Sequence, residues 1–380
     1  MKKNPFFCGR KIQAKKLKKG IKVTELVEEY YQAYNSARLN EACRLYAEKM
    51  LNPKKDVTIG ITLAGALTPA GMSGMFVSMM ENGFIDFIIA TGANLYHDTH
   101  FALNYPLRKG EFMVDDTTLY KHGVVRIYDI FLTTDTLLRT DKFTQKILLD
   151  KKAPKGAISS SEFHNYIGKR LLKEASNPEV SILAQAAKYN IPVYTSSPGD
   201  STYGMDLASY NKGLYKEFRK KGEIDLHINP NLDVIETASI VMSAKENGVI
   251  LLGGGSPKNF YLQTQPFLWE CLGLEKGGHD YFIQITMDSP QWGGLSGATP
   301  SEAVSWGKIN PEELKNTVVV YSDITLAVPI LFSYALEKAK PRKKKNLYLQ
   351  RKKLVYDLEK EDFKRPVDWT PEQLYKKHQK

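Results

Sequence analysis

A chain of 380 residues, 42% apolar and 25% charged, is long enough to bury a large core, and no window joins the ~18 uncharged apolar residues that a membrane-spanning helix needs. Three widely spaced cysteines, Cys8, Cys43 and Cys271, fit neither a disulfide framework nor a zinc site of paired CxxC ligands. The net charge of +11 divides into +9 over residues 1–22, +8 over 331–380 and −6 over 23–330, so an acidic body lies between basic ends and suits a cationic small molecule better than a nucleic-acid backbone.

The start, MKKNPFFCGRKIQAKK, is basic and is not followed by an apolar segment, so it does not read as a secretory leader and a cytoplasmic protein is expected. Residues 1–55 read as a helical extension packed on the body, on the pattern VTELVEEYYQAYNSARLNEACRLYAEKM. Apolar, β-rich segments then recur at 56–65, 85–92, 191–197, 248–255, 280–288 and 316–323. Continuous apolar runs of this length predict strands buried on both faces of a parallel sheet.

Helical stretches lie between them at 68–83, 231–248 and 256–273, the first two closing on Asn-Gly. The third places Ser256 at an expected N-cap and Pro257 at the first helical position. Strand and helix alternating in this way predict an α/β domain over 56–337, a Rossmann-like, doubly wound, mostly parallel sheet with helices on both faces. Residues 338–380, containing KAKPRKKKNLYLQRKK, read as a basic appendage: a solvated surface, or a contact for an acidic partner or a membrane surface.

In such a sheet, ligands bind beyond the carboxyl ends of the strands. The glycines at 253–255 end one strand and lead into a helix, where close backbone approach and free N–H groups suit a pyrophosphate, although a tight turn explains them equally. Thr91, Gly92 and Asn94 follow a second strand, Asp200 a third and Asp323 a fourth. Four such sites on one edge favour a dinucleotide, with the acids placed to accept from ribose hydroxyls. His97 and His100 have helical spacing but no second ligand cluster, so no metal site is expected. GxSxG, Walker A and CxxC patterns are absent.

The stretch SEAVSWGKI at 301–309 carries Lys308 two residues after Trp306 and six after Glu302. A lysine held against an indole loses hydration, which lowers its pKa and leaves neutral amine to attack a carbonyl or imine carbon. Glu302 is positioned to hold a substrate ammonium, and Trp306 to cover an alkyl chain or stack on a cation.

GATPSEAVSWGKI (297–309), GVILLGGGSPKNF (248–260), VVVYSDITLAVPIL (318–331) and ATGANLYHD (90–98) together resemble the deoxyhypusine synthase family, and more closely its bacterial deoxyhypusine synthase-like branch. The resemblance covers about 56–335 and implies an NAD-binding homotetramer with active sites between paired subunits. It implies that a hydride passes from spermidine to NAD, that a 4-aminobutyl unit is held as an imine on the lysine matching Lys308, and that an acceptor amine then receives it. That acceptor is a protein lysine in the synthase proper and putrescine in homospermidine synthases. By position, Glu302 and Trp306 match amine-binding residues, and Thr68, Thr91, Asp200, Ser296, Ser322 and Asp323 match NAD contacts, with Asn94 and Gly254 on the same edge.

The chain departs from the family pattern at the substrate. Asn259 stands where the synthase has a histidine, Leu295 where it has an aspartate, Met205 where it has a second acid, with Asp206 one place along, and Trp292 near Gly293 where a cofactor-contacting acid is expected. An amine shorter or less charged than spermidine is therefore expected, with Asp206, Glu302 and Asp288 as replacement acids. The reading is an NAD-dependent aminoalkyl transferase acting on a polyamine or related amine. Its alternatives are a homospermidine synthase-type transferase of small amines and an NAD-binding protein without catalysis.

Overall fold

All six apolar segments become strands of one sheet: β1 (Val57–Leu63), β2 (Phe87–Ala90), β3 (Val193–Thr195), β4 (Glu246–Leu252), β5 (Tyr281–Thr286) and β6 (Thr317–Tyr321). A computed structural model describes residues 7–212, 225–363, 370 and 372–373. The order is β6-β5-β4-β1-β2-β3, and every neighbouring pair is parallel. The chain winds outward from β1 to β3, then returns to the other side of β1 and winds outward again. The reversal opens a crevice beyond the carboxyl ends of β1 and β4, where a doubly wound sheet binds its ligands.

Successive residues of a strand point to opposite faces. Ile88 and Ala90 of β2 join a core with Phe76, Leu183 and Phe332, while Phe87 and Ile89 join a second core with Tyr194, Tyr261 and Phe282. Both faces are therefore covered, which explains why β1 carries apolar or small residues at every position and is buried throughout. β6 lies at the sheet edge and is only partly buried.

The helices differ in detail from their sequence patterns. The stretch expected as a helix over 231–248 is helical from Pro230 to Ser243, and its last three residues already belong to β4. The helix expected from Ser256 begins at Gly255 with Gly254 as its N-cap, so Ser256 and Pro257 lie in its first turn; it ends at Leu262, and shorter turns continue to Cys271. Two small sheets were not anticipated. One is antiparallel, formed by Arg108–Lys109, Val124–Ile127 and Ile130–Thr133; the other pairs Gly156–Ile158 with Leu226–Ile228 in parallel.

The N-terminal segment forms helices Val23–Tyr30 and Tyr34–Arg44 and a π-helical turn over Leu45–Met50. It is tied to the body by Tyr46, whose hydroxyl donates to the Phe84 carbonyl at 2.9 Å, and by Asn35, whose amide donates to the Tyr321 carbonyl at 2.7 Å. The basic run expected as an appendage packs on the body as far as residue 363. Arg342 donates to the Asp86 carboxylate at 2.9 Å and to the Val57 carbonyl at 3.1 Å, and Leu347 enters the core at the head of helix Leu347–Phe363. Most of the remaining appendage lies outside the described residues. No helix among the described residues is long and apolar enough to cross a membrane.

Candidate active site

The stretch that carries Lys308 is shaped by local rules. Thr299 caps the short helix Pro300–Ser305 by accepting from the Glu302 N–H at 3.1 Å, with Pro300 at the first helical position. Gly307, at φ +64°, stops it. A Cβ on Gly307 would lie 2.8 Å from the Trp269 indole nitrogen, so both backbone and packing require glycine. The Lys308 N–H then bonds the Ala303 carbonyl, and its own carbonyl accepts from the His279 N–H, which pins the lysine backbone beside the body.

Lys308 reaches a cavity of about 340 Å³ lined by Asn259, Leu262, Phe282, Leu295, Glu302 and Trp306 among others. Its ammonium donates to Asn259 Oδ1 at 2.9 Å and lies 5.5 Å from the centre of the Trp306 ring. Burial pulls its pKa below the ordinary lysine value, and the Glu302 carboxylate opposes that pull. Lys308, Glu302, Trp306 and Asn259 thus line one cavity. Asp206 does not: it lies on helix Thr202–Asn211 outside this cavity, where burial and the neighbouring Asp141 charge push its carboxyl up to about 7.

Lys258 is a site residue that sequence reasoning missed. It is 3% exposed, yet its ammonium meets three neutral oxygens: Ala298 O at 2.7 Å, Gln284 Oε1 at 3.0 Å and Ser296 O at 3.3 Å. Gln284 in turn donates to Ser296 O at 2.7 Å and Gly253 O at 2.9 Å. The pair braces the loop after β5 against the turn after β4 and connects the Lys308 cavity to the strand ends. Burial draws the Lys258 pKa down to about 8, with Glu302 opposing and Lys308 adding to the fall. Its place in GGGSPKN was the available signal, but the pattern reads equally as an exposed helical lysine.

The expected cofactor residues all follow carboxyl ends of the six strands, and they divide into two groups. Thr68 and Asn94 are fully buried, and their polar atoms serve the turns: Thr68 Oγ1 donates to Asn94 O, while the Asn94 side chain accepts from the Leu67 and Thr68 N–H groups. Thr91 Oγ1 likewise donates to Gly65 O at 2.6 Å. These three shape the edge of the crevice. Asp200 and Asp323 are exposed on it, Asp323 also capping helix Ile324–Lys338 through the Thr325 N–H, and Ser322 stands beside Asp323. Ser296 Oγ accepts from Gly255 N–H at 2.9 Å, and a Cβ on Gly254 would fall 2.3 Å from the Ser296 Cα, so the two loops meet at a distance only glycine permits. Across the crevice, the hydroxyls of Ser197 after β3 and Ser256 after β4 lie 3.1 Å apart. Among the described residues, no group of three or more His, Cys, Asp or Glu is arranged to hold a metal.

The chain resembles known proteins along most of its length. A "Deoxyhypusine synthase-like protein" of Nostoc punctiforme is 46% identical over 361 residues, which is 93% of this chain and 90% of that one. A protein of the same description from Thermosynechococcus vestitus is 45% identical over 350 residues, 89% of this chain and 84% of the other. The "Probable deoxyhypusine synthase 1" of Archaeoglobus fulgidus is 36% identical over 329 residues, 86% and 98% of the two chains. A crystal structure of a protein from Entamoeba histolytica shares the fold at a TM-score of 0.54 and 17% identity, over 87% of this chain and 99% of that one. The model of the family described as deoxyhypusine synthase matches residues 25–335, and with these relatives it shows that the chain belongs to the deoxyhypusine synthase family.

Proposed function

We propose that this chain is an NAD-dependent transferase that moves an aminobutyl or related aminoalkyl group from a polyamine to an acceptor amine through an imine on Lys308. One observation carries the reading: a half-buried Lys308 amine, its pKa lowered by desolvation, is aimed by Asn259 and Trp306 into a cavity whose inner lysine also holds the cofactor-side loop. Family membership supports the transferase class.

The residues present fit a dinucleotide. The Gly254–Ser296 approach leaves bare backbone at the mouth of the crevice, and the exposed carboxylates of Asp200 and Asp323 can accept from ribose hydroxyls. Bound there, NAD would accept a hydride from the donor's C–N carbon and later return it. The remaining work belongs to the chain. Glu302 neutralises an ammonium of the donor, and Trp306 covers its alkyl part. The neutral Lys308 amine adds to the carbon of the oxidised donor, the original amine leaves with a proton, and the alkyl unit stays on Lys308 as an imine. An acceptor amine then displaces Lys308, and Asn259 Oδ1 receives its ammonium again.

The same reading carries a homotetramer with sites between paired subunits, in which the exposed Trp292, Leu295 and Trp306 would be covered. Asp206, outside the Lys308 cavity of its own chain, could then serve only from a second copy.

The test is incubation of the full chain with NAD and a panel of amines, followed by borohydride reduction and peptide mass spectrometry. The expected result is an adduct on the Lys308 peptide whose mass identifies the transferred group, and its loss in Lys308→Ala with a fall in transfer of more than about a thousandfold. Full activity in Lys308→Ala would refute the imine. Product analysis with putrescine and with a protein lysine as acceptors separates small-amine from protein transfer.

A further inference from the structure

A second cavity of about 750 Å³, which shares no lining residue with the Lys308 cavity, opens where β1 and β4 begin. Seven-residue β1 separates it from the carboxyl edge of the sheet by about 20 Å. Six cations from three chain segments line this cavity: Lys55, Lys245, Arg342, Lys343, Lys344 and Lys345. Three have carboxylate partners. Lys55 pairs with Glu246 at 2.8 Å, Arg342 with the buried Asp86 at 2.9 Å and Lys345 with Asp56 at 2.5 Å. The other three do not. Lys344 lies 4.6 Å from the centre of the Tyr189 ring, and Lys245 and Lys343 have no carboxylate within ion-pair distance among the described residues.

Six cations against three paired carboxylates leave this concavity with an excess of positive charge, which Lys245 shares with Asp56 and Glu246 only at longer range, and an anion seated there would offset it. The arrangement is also built. Arg342, 13% exposed at its side chain, donates to the Val57 and Met50 carbonyls as well as to Asp86, which fixes the start of the run 342–345 against β1. Lys345 adds a bond to Thr58 Oγ1 at 3.0 Å. The lysines between these anchors are therefore held at the cavity. Its volume is that of a site for one small molecule, which favours a compact ligand over a polynucleotide track.

We propose that this cavity binds a small polyanion of the oligophosphate class, at a site separate from the Lys308 cavity and from the carboxyl edge of the sheet. Lys245, Lys343 and Lys344 supply the charge, and Arg342 and Lys345 supply the frame.

The experiment is calorimetric titration of the full chain with sodium tripolyphosphate at low ionic strength, with and without saturating NAD. Expected are one tripolyphosphate per chain, an affinity that falls as salt rises, and no displacement by NAD. The variant Lys245→Ala/Lys343→Ala/Lys344→Ala, which breaks none of the ion pairs at the cavity, should weaken binding by at least about tenfold while the protein remains folded in the absence of anion. A second variant, Lys11→Ala/Lys16→Ala/Lys19→Ala, removes equal charge elsewhere and should bind as the wild type does. The proposal is overturned by absence of binding to the wild type, by equal losses in the two variants, by competition with NAD, or by binding of heparin or RNA without binding of tripolyphosphate.

Discussion

Replacing the buried Lys258 by methionine gives a direct reading of the electrostatics behind the site. Its fall from the ordinary lysine value of 10.5 to about 8 is dominated by burial, and it corresponds to about 3 kcal/mol of destabilisation of the charged side chain at neutral pH. The sign follows from linkage. Between pH 8 and 10.5 the unfolded chain holds the proton while the folded chain has largely released it, so this lysine makes stability rise with pH across that window. From pH 7 to pH 9 the wild type should gain about 1.3 kcal/mol relative to Lys258→Met, whose side chain does not titrate. Urea unfolding of both proteins at pH 7, 8 and 9 measures the difference, and all other titrating groups cancel to first order. The methionine also leaves Gln284 Oε1, Ser296 O and Ala298 O without their shared donor, a constant offset of about 1–3 kcal/mol that carries no pH dependence. A stability difference that stays flat from pH 7 to pH 9 would refute the assignment of Lys258 as a desolvated ammonium. Should the methionine variant not fold, Lys258→Gln supplies the same non-titrating reference.

Other substitutions probe the remaining parts of the site. Asn259→Asp puts a carboxylate where the Lys308 ammonium now meets a neutral oxygen at 2.9 Å, so the Lys308 pKa should rise and the activity profile should shift to alkaline pH with it; an unmoved profile would show that Asn259 does not set the protonation of Lys308. Gly307→Ala forces a side chain into a left-handed backbone position and against the Trp269 indole; a loss of about 1–3 kcal/mol in thermal or urea unfolding is expected, with reduced imine trapping on Lys308. Unchanged stability in that variant would mean that the turn can relax away from Trp269.

Much of the fold was legible because its determinants are local or periodic. Uncharged apolar segments such as VTIGITL need burial on both faces, and that requirement fixes a parallel sheet whatever the order of its strands. The turn TPSEAVSWGK is set by equally local rules, an N-cap, a proline at the first helical position and a glycine stop, although no helix was expected there. Lys308, Glu302 and Trp306 were named from their spacing and Asn259 from the family resemblance, and all four line one cavity. The stretch between β2 and β3 was not legible. Helix Thr134–Leu148 buries Thr136, Thr140, Thr144 and Gln145 beside Ile147 and Leu148, so polar residues interrupt the apolar stripe that marks an amphipathic helix.

The sequence by itself determined which segments form the six-stranded sheet, where Lys308 sits beside Trp306 and that the chain ends are basic, because residue type and near-neighbour spacing settle each of these. Only the tertiary structure decided what those residues meet. It placed Asp206 away from Lys308, turned Thr68 and Asn94 inward to shape a turn, made Lys258 a buried brace, and folded the basic run 338–345 onto the far edge of the sheet. Each of those outcomes depends on contacts between residues distant in sequence, and the burial and charge they create do not exist until the sheet is assembled.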